Sequence, residues 1–234
     1  MNIVITGASK GMGKALALKF ATAGNLIFIC ARNENDLQSV IEEAAAENSE
    51  ATFQYYASDI SVKSNALNFA KFITGRNVIP DILINNAGQF IPGSVYNEED
   101  GTLEKMMAVN LYSAYNLTRA LLPWMMKQRS GHIFNMCSVA SLKAYSNGGA
   151  YSISKHALMG FTRNLREELK AYNIKVTCVY PGAVNTASWE GSGIEASRIM
   201  EVNDIVQMIY AASFLSPQAC VEEIIIRPQL GDLP

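Results

Sequence analysis

Seven short apolar runs, at residues 2–6, 26–31, 52–57, 81–85, 131–137, 174–180 and 222–227, alternate with helical patterns near 11–23, 35–48, 61–75, 102–126, 149–172 and 203–214. This alternation restricts the fold more than any other feature of the chain. Strands separated by a helix run parallel, because the helix carries the chain back to the end of the sheet where the next strand begins. Several of the runs, "LIFIC" and "HIFNMC" among them, are apolar at nearly every position rather than at every second one. Strands covered on both faces have that pattern. The expectation is an α/β chain with a doubly wound, parallel, seven-stranded sheet and helices on both faces. No internal repeat, low-complexity tract or linker interrupts it, so residues 1–234 are read as a single domain. The longest irregular stretches, about 86–101 and 181–202, both follow strands. Open sheets of this kind hold ligands beyond the carboxyl ends of their strands.

The first strand runs directly into "TGASKGMG", Thr6 to Gly13. Strand, glycine-rich turn and helix together bring backbone N–H groups and a positive helix end against a phosphate. Gly7, Gly11 and Gly13 leave room where a Cβ would collide with a pyrophosphate. Alone, the pattern is as readily a plain glycine-rich turn. At the first strand–helix junction of an alternating chain it reads as the dinucleotide-binding turn of a Rossmann-type sheet. The second strand ends in "FICARN", about where such a fold reads the adenosine ribose. An acidic residue there would bond a free 2′-hydroxyl and repel a 2′-phosphate. This chain has Ala31 followed by Arg32, with Lys10 inside the glycine loop. Two cations and no carboxylate favour NADP(H) over NAD(H). Asp59, in "ASDIS", has two readings: an acceptor for the adenine amino group, or the N-cap of the next helix, a place Ser61 also suits. "NNAG", Asn85 to Gly88, is either an ordinary turn or a bend that lets backbone approach a ribose.

Composition removes other classes. With 49% hydrophobic residues in 234, the chain can bury a substantial core. A formal charge of −2, from 19 Lys+Arg against 21 Asp+Glu, points to neither a nucleic-acid nor a membrane surface. No apolar stretch approaches the roughly 20 residues that span a bilayer. With a strand read from residue 2, no leader is expected, and Cys30, Cys137, Cys178 and Cys220 are scattered without metal-ligand spacing. A cytoplasmic protein without a metal is expected. His132 and His156 are not spaced as a metal pair, and "PWMMK" reads as packing or interface.

The chemical signal is "YSISK". Tyr151 and Lys155 are four apart at the start of a helical pattern and share a face. A phenol of reference pKa about 10 is a poor acid–base near neutrality unless a neighbouring cation stabilises its phenolate, which a lysine one turn away does. Ser138 ends the fifth strand, where a hydroxyl can hold a substrate oxygen. Asn110 falls inside the apolar stripe of Leu103, Met107, Leu111, Ala114, Leu117 and Leu121. A buried amide needs partners: either local backbone satisfies it, or it holds a water at the site. Tyr145 reads as a pocket wall rather than a second acid.

Taken together, "TGASKGMG", "NNAG", Asn110, Ser138 and "YSISK" resemble the short-chain dehydrogenase/reductase family, in its single-domain branch, from Met1 to about Ile226. The resemblance implies hydride exchange between NADP(H) and a small soluble carbonyl or alcohol substrate. In it, Tyr151 is the general acid/base, Lys155 lowers the pKa of Tyr151 and bonds the nicotinamide ribose, Ser138 orients the carbonyl, and Asn110 holds a water. It also implies cofactor contacts at Gly7, Ser9, Lys10, Gly11, Met12 and Gly13. Further contacts would come from Arg32, Asp59 and Ile60, and from Asn86, Ala87 and Gly88 beside Tyr151 and Lys155. The segment "PGAVNT" would cradle the carboxamide through Pro181, Gly182, Val184 and Thr186. Met12 stands where Ile or Leu is usual, and Cys137 where Ser is common; neither removes a required group.

The stretch 187–202, with Trp189, Gly191 and Gly193, is where this family builds its substrate lid, here a brief one. The ending "VEEIIIRPQLGDLP" lacks the "VDGG"-like extension of 3-oxoacyl thioester reductases. It resembles bacterial sepiapterin-reductase-like members or hydroxy-amino-acid dehydrogenases, with Asp232 either solvated or folded back to hold an amino or pterin group. A thioester reductase and a non-catalytic NADP-sensing relative are the alternatives. The helices 102–126 and 149–172 carry surplus apolar residues, with Ala157 and Gly160 small enough for close helix approach. Family resemblance then implies a homodimer or homotetramer through them.

Overall fold

The strands β1 (Asn2–Thr6), β2 (Leu26–Ala31), β3 (Thr52–Ala57), β4 (Ile82–Asn85), β5 (Gly131–Met136), β6 (Ile174–Pro181) and β7 (Glu223–Ile226) form one sheet in the order β3-β2-β1-β4-β5-β6-β7. Every neighbouring pair is parallel. The computed structural model of the protein describes residues 1–47, 50–186, 191 and 193–233. The chain winds outward from β1 to β3 and then crosses back to β4. This reversal opens a crevice at the carboxyl ends of β1 and β4, the place where such sheets hold ligands.

Helices α1 (Gly11–Lys19), α2 (Glu34–Ala46) and α7 (Val202–Ser213) cover one face. The other is covered by α3 (Lys63–Thr74), α5 (Ser113–Gln128) and α6 (Gly149–Leu169), while α4 (Thr102–Met107) leads into α5. Alternation along β1 sorts the two cores. Ile3 and Ile5 pack with Leu16, Phe20 and Ile209 on the first face, and Val4 packs with Phe69 and Leu121 on the second. Both faces are therefore apolar, which accounts for the unbroken hydrophobic runs. Among the described residues no helix is long and apolar enough to cross a membrane.

The main departure from the sequence pattern lies in the expected 102–126 helix. A π-helical turn at Ala108–Tyr112 divides it into α4 and α5. Such a turn inserts one residue into the repeat and shifts the phase of everything before it. The buried stripe is accordingly Met106, Asn110, Ala114, Leu117, Leu121 and Met125, while Leu103, expected inside, is exposed. Met125 of "PWMMK" is thus core, and Trp124 is exposed.

Candidate active site

The glycine turn is held from two sides. Thr6 Oγ1 accepts from the backbone N–H groups of Asn86 and Ala87, both at 3.0 Å. Asn86 Nδ2 donates back to the carbonyls of Thr6 and Gly7, also at 3.0 Å. Gly13 sits under this lock: a Cβ there would lie 2.2 Å from Gly7 O and 2.5 Å from Asn86 Nδ2. Gly7 has φ +64 and Gly11 φ +52, conformations that glycine adopts without strain. The N-cap of α1 is Lys10, whose side chain makes no capping hydrogen bond, and among the described residues no other side chain bonds the first-turn N–H groups. Its first-turn N–H groups are therefore available to an anion. The residues fit a dinucleotide's pyrophosphate. Ser9, Gly11 and Thr186 border a cavity of about 600 Å³ beside this turn, with Lys10 and Asp36 on its wall.

Several expected cofactor contacts take more specific form. Lys10 Nζ stands 3.5 Å from Asp36 Oδ2, a pairing that sequence spacing gave no sign of. Arg32 is exposed and has no hydrogen-bonding or ionic partner among the described residues. Asp59 caps no helix: its Oδ1 accepts from Ser61 N at 3.0 Å and Ser61 Oγ at 2.6 Å, and the N-cap of α3 is Val62. The Ile60 side chain is buried with Val4, Phe28 and Cys30, so only its backbone can meet a nucleotide. The Asn86 amide is committed to the glycine turn. Gly88 is the close approach: a Cβ there would come 3.3 Å from Asn110 Oδ1 and 3.4 Å from Lys155 Nζ.

A second cavity, of about 340 Å³, gathers Ser138, Tyr151, Met12, Gly182 and Val184 on its lining. Ser138 is the N-cap of a 3₁₀ turn, Val139–Ser141, and its Oγ accepts from Ala140 N at 3.1 Å. With that lone pair engaged, the hydroxyl hydrogen is free to point elsewhere. Tyr151, on the first turn of α6, meets the Phe90 ring edge-on at a centroid distance of 4.9 Å. Burial holds the Tyr151 phenol above its ordinary value, the Ser138 hydroxyl draws it down by hydrogen bonding, and Cys137 adds a smaller upward push. Lys155 is 5% exposed, its Nζ donates to Met136 O at 2.7 Å, and it lies 5.8 Å from the Tyr151 ring centroid. Burial brings the Lys155 pKa down to about 8. The expected downward pull of Lys155 on Tyr151 is not the dominant effect in this arrangement; desolvation is.

Asn110 is fully buried in the π-turn. Its Oδ1 accepts from Gln89 N at 2.7 Å, and its Nδ2 donates to Gln89 O at 3.0 Å and Ser154 Oγ at 2.9 Å. Ser154 Oγ in turn donates to Tyr151 O at 2.7 Å. Both amide hydrogens are used locally, so a bound water would have only the second Oδ1 lone pair. Ser154 lies within "YSISK" itself, yet nothing about a serine at that place announces the link.

Other residues fall into place around this centre. Tyr145 borders the cavity, and burial with the neighbouring Tyr151 pushes its phenol up to about 12, so it stays protonated. Cys137 Sγ touches Cys178 Sγ at 3.8 Å, and both thiols are free. His132, at the opposite end of β5, bonds Thr177 Oγ1 at 2.7 Å and is held neutral by burial, with a pKa of about 3. His156 bonds Ser152 O within its own helix. Among the described residues no three His, Cys, Asp or Glu side chains form a metal cluster. Trp189 lies outside the described residues. The end of the expected lid is tied down, with Asn185 N donating to Met200 O at 2.8 Å and Met200 N to Ala183 O at 2.9 Å. Asp232 does reach the cavity, but its carboxylate is paired with Arg227, while Arg198 binds the carbonyl of Gly231 at 3.0 Å.

Residues 1–195 match the family model of short chain dehydrogenases. The sepiapterin reductase of Chlorobaculum tepidum is 33% identical over 239 residues, covering 99% of this chain and 97% of that protein. An uncharacterized oxidoreductase of Staphylococcus epidermidis is 31% identical over 225 residues, 96% of either chain. Among solved structures, a metagenomic short-chain oxidoreductase in complex with NADP superposes with a TM-score of 0.84 at 29% identity, over 98% of this chain and 97% of that one. The glycine turn, the parallel sheet and the Ser138–Tyr151–Lys155 centre thus have a common explanation: the chain belongs to the short-chain dehydrogenase family.

Proposed function

We propose that this protein is an NADP(H)-dependent oxidoreductase that interconverts a carbonyl and an alcohol on a small soluble substrate. The observation that carries the reading is the convergence of Ser138 and Tyr151 on one cavity, with buried Lys155 behind the phenol. When bound, NADPH supplies a hydride to the carbonyl carbon. The protein's groups act on the carbonyl oxygen. Ser138, its Oγ acceptor site engaged by Ala140 N–H, turns its hydrogen toward that oxygen and polarises it. Tyr151, protonated because burial holds its pKa up, delivers the proton that makes the alcohol. Lys155, fixed by Met136 O, sets a cation near the phenolate left behind. Asn110 and Ser154 brace the backbone of Tyr151 from below. In oxidation the same groups run in reverse, with the phenolate as base. An NADPH-oxidation screen over diketones, pterins, hydroxy acids and oxoacyl thioesters tests the proposal. NADPH consumption by none of them in the presence of the folded protein would refute it.

The cofactor preference rests on Arg32, which is exposed and unpaired among the described residues, more than on Lys10, which a 2′-phosphate must share with Asp36. NADPH is expected to bind at least tenfold more tightly than NADH, about 1.4 kcal/mol. Arg32→Asp should remove most of that difference in a fluorescence titration. Equal affinities in the wild type, or an unchanged preference in the variant, would exclude the assignment.

The protein is also proposed to assemble with itself through α5 and α6. Tyr112, Tyr115 and Trp124 lie exposed on or beside α5, and Ile153 on α6. A Cβ on Gly160 would meet nothing within 4 Å among the described residues, so open space lies beside this glycine. That open space suits a second helix across a two-fold axis. Light scattering at micromolar concentration is expected to give a dimer or tetramer. A particle of 25.5 kDa, the mass of one chain, would exclude the interface.

A further inference from the structure

We infer that Glu98 is a positioning residue for Tyr151: it caps the first turn of the helix that bears the phenol and holds that turn against the cavity. The inference rests on the reading of Tyr151 as proton donor. Helix α6 begins without a side-chain cap, since its N-cap is Gly148. The first turn of any helix leaves N–H groups without partners inside the helix. Here the N–H of Ala150, directly before Tyr151, donates to Glu98 Oε2 at 3.1 Å. The donor lies 52 residues further along the chain, so a loop supplies the cap that the helix's own sequence lacks. Glu98 is turned inward for this purpose. In the run Glu98–Asp100 it alone is half-buried, and Glu99 and Asp100 are exposed. A carboxylate at a helix N-terminus also meets the positive end of the helix dipole.

The contact is close enough to dictate the sequence opposite. A Cβ on Gly149 would lie 2.6 Å from Glu98 Oε2 and 2.5 Å from Gly93 O, so only glycine fits there. Next to it, Gly93 N donates to Asn147 O at 3.1 Å, and Ser94 Oγ to Asn147 Oδ1 at 3.0 Å. The same loop carries Phe90, whose ring meets Tyr151 edge-on. The segment 90–98 thus grips the start of α6 twice, through the backbone at residue 150 and the ring at residue 151. Ser138 and Lys155 have anchors of their own, in Ala140 N–H and Met136 O. Loss of the Glu98 contact therefore moves the phenol relative to the hydroxyl and the cation, which stay in place. Proton delivery is sensitive to displacements on the order of 1 Å, worth roughly a hundredfold in rate.

The test compares Glu98→Ala with Glu98→Gln, which keeps an acceptor oxygen. Amide hydrogen exchange over residues 147–155, which requires no substrate, is read beside kcat for reduction of diacetyl or the best carbonyl of the screen. Glu98→Ala is expected to exchange faster in that segment and to lose roughly tenfold or more in kcat, with NADPH affinity within about twofold of wild type. Glu98→Gln should recover both properties to within about threefold. Unchanged exchange in Glu98→Ala overturns the inference, and so does an unchanged kcat. Parallel loss of kcat and NADPH affinity, with Gln no better than Ala, overturns it as well by indicating general loosening of the fold. An active Tyr151→Phe variant would sink the reading of the site itself. An inactive one beside a fully active Glu98→Ala would sink this inference alone.

Discussion

Tyr151→Phe is expected to abolish carbonyl reduction, lowering kcat by roughly a thousandfold or more, while NADPH affinity stays within about twofold. The change removes one oxygen and leaves the ring, so the edge-on contact with Phe90 and the packing of the first turn of α6 persist. Ser138 loses a neighbour but keeps its bond from Ala140 N–H, and Lys155 keeps its bond to Met136 O. Among the described residues, the other hydroxyls that line the cavity do not replace the lost proton. The Tyr145 phenol, up at about 12, is a weaker acid than the task requires, and Ser138 has no adjacent base. Steady-state NADPH oxidation with the substrate found in the screen, set beside a fluorescence titration of NADPH, checks both halves. Retention of more than about a tenth of wild-type kcat would assign the proton donor elsewhere.

Much of this site is legible in the sequence because its constraints are local. The steric demands of Gly7 and Gly13 arise within one strand–turn–helix unit, and Tyr151 and Lys155 share a helix face by spacing alone. The parallel sheet and its two-faced core follow from strand–helix alternation and unbroken apolar runs, whereas the order of the strands is set by which apolar faces dock together and emerges only in the folded sheet. The features that escape are of two kinds. One is a defect in periodicity: the π-turn at Ala108–Tyr112 changes no composition and only moves the stripe by one residue, so Leu103 and Met107 look buried where Met106 is. The other is contact between residues distant in the chain. Asp36 beside Lys10, Glu98 beneath α6 and Arg227 on Asp232 are charged residues in polar stretches. In sequence they cannot be told from solvated surface. Asn110 stands between the two kinds. Its burial was readable from the stripe, whereas its partners emerge only when the loop after β4 brings Gln89, and α6 brings Ser154, against the π-turn.

Lys155→Met is expected to make the cofactor-free protein more stable at neutral pH and, at the same time, inactive. The ammonium is almost fully enclosed, and its pKa falls from 10.5 to about 8 because burial penalises the charged form. The folded protein therefore binds this proton less tightly than the unfolded chain. Below about pH 8 both states carry the charge and the folded state bears the whole penalty, about 3 kcal/mol. As pH rises from there through 10.5, the folded state sheds its proton first and the penalty disappears. Methionine fills similar space without a charge, at the loss of one charge-assisted hydrogen bond to the buried Met136 O, about 2 kcal/mol. The net gain, about 1 kcal/mol, corresponds to a melting temperature higher by roughly 3 °C at pH 7 for a chain of this size. Toward pH 10 the advantage should shrink, because the wild type gains there what the variant already has. Turnover moves the other way: without a cation behind the phenol, kcat should fall at least about a hundredfold, and NADPH should bind more weakly if Lys155 holds its ribose. Melting curves at pH 7 and pH 10, run with kinetics on the same preparations, decide the matter. A variant no more stable than wild type at pH 7, or an advantage that does not narrow with pH, would mean that Lys155 is not the strained buried cation on which this site depends.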